Sequence, residues 1–221
     1  MYNFIGGPLV SLAFIIFFGG LIYQWLQFLK LTRKKDLILP PYAIIEKRVK
    51  KTTGQRIVDI LASFKGTLWK TDPLMMVVTS VFHVCLILTP IFASGHGMLL
   101  NQSWGFNFWS FPESFTDVLT IAVLICVVFF MMRRLFLVRV RAITSPYDYF
   151  VLLIAAVPFI TGFLAYHKWF DYRITMTLHI LSGEVMLVAI PFTKLGHMLF
   201  FFLYRFLVGG EYSFTWGGRV W

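Results

Sequence analysis

Residues 174–206 read ITMTLHILSGEVMLVAIPFTKLGHMLFFFLYRF, and this stretch decides the fold. It is apolar for longer than the roughly 20 residues with which an α-helix crosses a bilayer. No turn signals divide it into the shorter strands of a membrane barrel, so one long helix is the expected form. Inside it stand His179 and His197, with Glu184 and Lys194 between them. Ionisable and ligating side chains are costly in lipid and mark function by default.

Four further apolar runs precede it, at about 8–29, 74–99, 114–132 and 149–166, with Asp117 at the mouth of the third. The expected fold is therefore all-α integral membrane, a single domain over 1–221 with five transmembrane helices. Composition agrees: 58% of the 221 residues are hydrophobic and 14% are charged, whereas soluble domains carry about 25% charge. The net charge of +10 would suggest nucleic-acid binding in a soluble protein. Here the basic residues cluster between apolar runs, so membrane topology is the better reading and no nucleic-acid partner is expected.

Lys and Arg crowd the connection 30–72, among them Arg33, Lys34, Lys35, Lys47, Arg48, Lys50 and Lys51, and return at Arg133, Arg134, Arg139 and Arg141. The stretch Asn101 to Glu113 has none. The positive-inside rule then places the N-terminus outside and the C-terminus in the cytoplasm of a multi-pass protein of the cell inner membrane. No charged side chain precedes Lys30, so the first run reads as a span, not a cleavable signal. In the basic connection Ile57, Ile60, Leu61, Phe64 and Leu68 recur at helical spacing. They predict a short amphipathic helix on the inner membrane surface, for lipid anchoring or for docking a partner subunit.

Cys85 and Cys126 form no C-x-x-C pair and no C-x-x-C-H, which excludes covalent c-type haem and cysteine-ligated clusters within the chain. The histidines are the chemical signal. His179 and His197 are eighteen residues apart, five turns of an ideal helix, on one face and roughly 27 Å apart. His83 and His96 are thirteen residues apart on the second run, roughly 20 Å along its axis. The two helices run in opposite directions, so His83 comes level with His197 and His96 with His179. Each pair can ligate one iron through two imidazoles, giving two stacked haems b between the second and fifth helices.

Gly183, one turn beyond His179, leaves room for a porphyrin, and Lys194, one turn before His197, suits a haem propionate. Thirteen residues is about 220° of rotation, so Pro90 must kink or rewind the helix for His83 and His96 to face one way. His167 is the rival ligand at the outer end. Glu184 lies about 140° round from His179 and is expected to point toward a neighbouring helix or an internal cavity, protonated and hydrogen-bonded.

At these residues the chain resembles the haem b (gamma) subunit of respiratory nitrate reductase, and more closely its relatives of the DsrM and TmcC type in sulfate-reducer redox complexes. The likeness covers nearly the whole chain. It is carried by Met1-Tyr2-Asn3-Phe4 with Gly19-Gly20-Leu21-Ile22-Tyr23, by Phe82-His83-Val84 leading to Gly95-His96, and above all by His179, Gly183 and Pro191-Phe192-Thr193-Lys194-Leu195-Gly196-His197. The resemblance implies two bis-histidine haems b, menaquinone or another quinone oxidised as quinol near the outer haem, and a cytoplasmic HdrD-like or other iron–sulfur subunit. It also implies an extracytoplasmic multihaem cytochrome c subunit. The nitrate reductase type has fewer residues between its second-helix histidines. It also has a quinol-site lysine near the start of its third helix, where Thr116 and Asp117 stand here.

The leading expectation is an electron-transfer subunit of a quinol-linked oxidoreductase complex, with Glu113, Asp117 and His167 as acceptors for quinol protons. The alternatives are an ion or proton transporter using Glu184, or an anchor subunit without haem. Inverted repeats and paired broken helices, the marks of many transporters, are not legible in the sequence.

Overall fold

The computed structural model describes residues 4–33, 72–106, 109–198 and 200–201. The predicted amphipathic segment Ile57–Leu68, most of the basic connection, Met1–Asn3 and the end of the fifth run at Phe206 lie outside these residues. Among the described residues the secondary structure is entirely helical. A π-turn at Ile5–Leu9 leads into α1, Val10–Arg33; then come α2, Pro73–Phe92, and α3, Ser94–Trp104. They are followed by α4, Glu113–Phe136, the single turn α5, Val138–Arg141, then α6, Pro146–His167, and α7, Tyr172–Phe192, with a 3-10 turn at Lys194–Gly196. Five helices are long and apolar enough to cross a membrane, Ile5–Lys30, α2, α4, α6 and α7. The chain is a multi-pass membrane protein.

Its helix ends follow local rules. Ser145 caps α6 through a capping box with Asp148, and Pro146 occupies the first turn where a missing N–H costs nothing. Asp171 caps α7 by accepting from the Ile174 N–H at 3.0 Å. Arg133 and Arg134 sit in the last turn of α4, where they complement the helix dipole.

Two expected helices are broken. The second run is α2 and α3, not one helix: Pro90 cannot continue the hydrogen-bond ladder, and three residues later Ala93 turns extended, at φ −64° and ψ 130°. Within the fifth run α7 ends at Phe192, one residue after Pro191, and Thr193 is extended at φ −124° and ψ −179°. The Thr193 hydroxyl donates to the Ala189 carbonyl at 2.8 Å and accepts from the Leu195 N–H at 3.2 Å, which starts the 3-10 turn. The one-face relation of His179 and His197 therefore does not survive: it assumed an unbroken helix.

The chain divides into two compact units, residues 1–18 with 77–195 and residues 19–76 with 196–221, the boundaries falling inside α1 and α2. In the first unit α6 is the most enclosed helix and packs on both α4 and α7. Small side chains make this close approach: Ala155 and Ala156 are each 2% exposed. In lipid, where apolar burial drives little association, such small-residue contacts are the main source of helix packing. Large apolar residues such as Ile125 and Val128 point outward instead, as a lipid-facing surface requires.

Candidate functional site

The break after α2 creates a demand that a histidine fills. A helix leaves its last carbonyls without N–H partners. The Phe92 carbonyl takes the Phe111 N–H at 2.9 Å, and the Pro90 carbonyl lies 2.8 Å from the His96 Nδ1. Across the unit, His179 on α7 places its own Nδ1 2.9 Å from the Pro158 carbonyl of α6. A carbonyl can only accept, so both Nδ1 atoms carry a proton, and in the neutral rings both Nε2 atoms present a lone pair.

Those two Nε2 atoms face each other at 3.5 Å. The rings lie nearly parallel, 15° apart with centroids separated by 5.8 Å. Two opposed lone pairs repel, so the arrangement calls for a Lewis acid or a proton between them. Two imidazole nitrogens this close could hold one metal ion between them. Among the described residues no three His, Cys, Asp or Glu side chains cluster, whereas a bare structural zinc takes four such ligands. Two nitrogens suffice for an iron whose other positions a macrocycle fills. Interhelical hydrogen bonds in membranes are worth only about 0.6 kcal/mol on average, so the two Nδ1 bonds aim the rings more than they hold the bundle.

His167 does not join this pair. Its Nε2 donates to Asp117 Oδ1 at 3.1 Å, and its ring packs on Phe163 and Trp169, at centroid distances of 4.3 and 6.0 Å. His96 is thus the imidazole that faces His179. Glu113 opens α4 and accepts from the Ser94 hydroxyl at 3.5 Å, two residues before His96. Gly183 has open space on its side-chain face, with nothing within 4 Å of an added Cβ.

His83 stands on α2 with Nδ1 2.7 Å from the Thr79 carbonyl, so it too has its proton on Nδ1. His83 belongs to the first unit and His197, at the start of the helical stretch after the 3-10 turn, to the second. Lys194 pairs with Asp148, the capping-box partner of Ser145, at 2.6 Å and lies 5.4 Å from the centre of the Tyr147 ring. Glu184 is buried, but its Oε1 has no hydrogen-bond partner among the described residues. The expected hydrogen bond is not made by that oxygen.

Sequence reasoning missed the residues that seat His179, namely Pro158, Thr161, Gly162 and Ser182. Their one signal is the grouping of Pro158, Thr161 and Gly162 at positions i, i+3 and i+4 of a helix.

Fold and site together define a multi-pass helical membrane protein with a facing pair of half-buried imidazoles. No family model matches the sequence, and no solved structure matches it. A protein of Nitratidesulfovibrio vulgaris (strain Hildenborough), whose description names no activity, is 34% identical over 222 positions, covering 100% of this chain and 97% of its own. The chain belongs to the family of that protein.

Proposed function

We propose that the chain is a dihaem cytochrome b, the membrane subunit of a redox complex that passes electrons between a quinol and a soluble iron–sulfur partner. One observation carries the reading: the 3.5 Å approach of two Nε2 atoms whose rings are each anchored by a backbone carbonyl. A b haem bound there would supply a one-electron carrier inside the membrane. His96 and His179 would hold its iron through Nε2, the Pro90 and Pro158 carbonyls fix their orientation and tautomer, and Gly183 leaves open space on its side-chain face. For a second haem the resemblance implies His83 and His197 as the ligands. Quinol oxidation releases two protons and two electrons; the Asp117–His167 pair, with Glu113 close by, is the acceptor for the protons at the outer end.

The test is a pyridine haemochrome assay on the purified protein, expected to give close to two non-covalent haems for each chain. A protein-bound count of zero ends the redox reading and leaves a transporter or anchor. The partner is expected at the basic cytoplasmic face. Arg139 and Arg141 on α5 are exposed there, and reversing both to Glu should cut co-purification of an iron–sulfur subunit while leaving the haem spectrum intact. Undiminished co-purification would remove this face as the docking surface.

A further inference from the structure

His179 rests on a seat built into one face of α6. The Pro158 carbonyl accepts its Nδ1 proton at 2.9 Å, and Thr161 Oγ1 stands 3.4 Å from the same nitrogen. In an α-helix residue i+4 lies over carbonyl i, so a side chain at position 162 would cover the Pro158 oxygen. Gly162 keeps it open: a Cβ there would come within 3.0 Å of His179 Cε1 and 3.2 Å of Nδ1. Thr161 is buried, and its hydroxyl donates to the Val157 carbonyl at 2.8 Å, which leaves its lone pairs for the imidazole. Ser182 stands 3.3 Å from that hydroxyl and donates to the His179 carbonyl at 3.0 Å. His96 has a simpler anchor, the Pro90 carbonyl at 2.8 Å.

We infer that Pro158, Thr161, Gly162 and Ser182 form a positioning element that sets the electron-donating strength of His179 and thereby tunes the potential of the iron it binds. The inference rests on the haem reading above. A ring whose Nδ1–H is held by two acceptors has more imidazolate character and a more basic Nε2, which favours oxidised iron. The seat moves no proton and exchanges no electron; it acts through the ligand.

Redox titration of the protein in its membrane complex, followed optically with the low-spin resonance signal and the haem count, tests this. Thr161→Val removes the hydroxyl at nearly constant volume, and Thr161→Ser keeps it. Thr161→Val should raise the midpoint of one haem, lowering its oxidised-to-reduced ratio at fixed potential about three- to tenfold, tenfold being about 59 mV for one electron. Thr161→Ser should restore the parental value. Gly162→Ala should shift the low-spin signal of the same haem, because the methyl group must displace the ring. Parental midpoints in Thr161→Val at full haem content overturn the inference and leave the haem reading standing, as does a shift confined to the other haem. A haem count of zero in the parent overturns both. Should Gly162→Ala fail to fold, the Thr161 pair decides alone.

Discussion

Alanine at His179 is expected to remove one haem of two, and alanine at His96 to remove the same one. The two Nε2 atoms face each other at 3.5 Å, so each variant deletes one of two opposed donors and leaves the other without its counterpart. Loss of an outer partner of a ligand alone costs about 10–100-fold in metal affinity. Loss of the ligand itself should exceed about 100-fold and leave the site unloaded. His167→Ala should keep both haems, because its Nε2 lies on Asp117 at 3.1 Å. Reduced-minus-oxidised spectra with haem counts read the result, and added imidazole should restore part of the signal in His96→Ala by filling the space the ring left. Loss of that haem in His167→Ala with retention in His96→Ala would sink the assignment.

The five spans were legible because each is an apolar run near the length a bilayer demands, and all five recur as helices. The breaks inside two of the runs were not. Pro90 and Pro191 announced distortion, but a proline's effect depends on what satisfies the carbonyls it strands, and that is a tertiary matter. At Ala93 the break resets the rotation, so the 220° mismatch between His83 and His96 ceases to be the relevant quantity. At Thr193 the same kind of break removed an argument that had seemed the firmer one, the five-turn spacing of His179 and His197. Helical phase across a proline did not survive. The seat of His179 was illegible for another reason: Pro158 contributes a backbone oxygen and Gly162 the lack of a side chain, neither of which carries a chemical signature in sequence.

The departure at the start of the third span acquires a meaning from the same geometry. Where the nitrate reductase type has a lysine, Asp117 accepts from His167 Nε2 at 3.1 Å. With its Nε2 proton held by the carboxylate, a neutral His167 turns the lone pair of Nδ1 outward. That is the arrangement of a base whose partner orients the ring and stabilises the imidazolium that forms. His167 lies five residues beyond Gly162 on α6, roughly 7.5 Å along the axis, and a Cβ added at Gly162 would meet the His179 ring. His167 therefore lies about a turn and a half along α6 from the seat of His179. Asp117→Asn and His167→Ala should each slow quinol-driven haem reduction about 10²–10⁴-fold, the usual worth of a positioned base. An exposed pair of this kind contributes only about 0–1 kcal/mol to stability, so the fold and the haem content should survive both changes. Dithionite, which needs no proton acceptor, should still reduce the variants at the parental rate. Parental rates with quinol in both variants would assign proton release to another group, with Glu113 the next carboxylate along the same helix end.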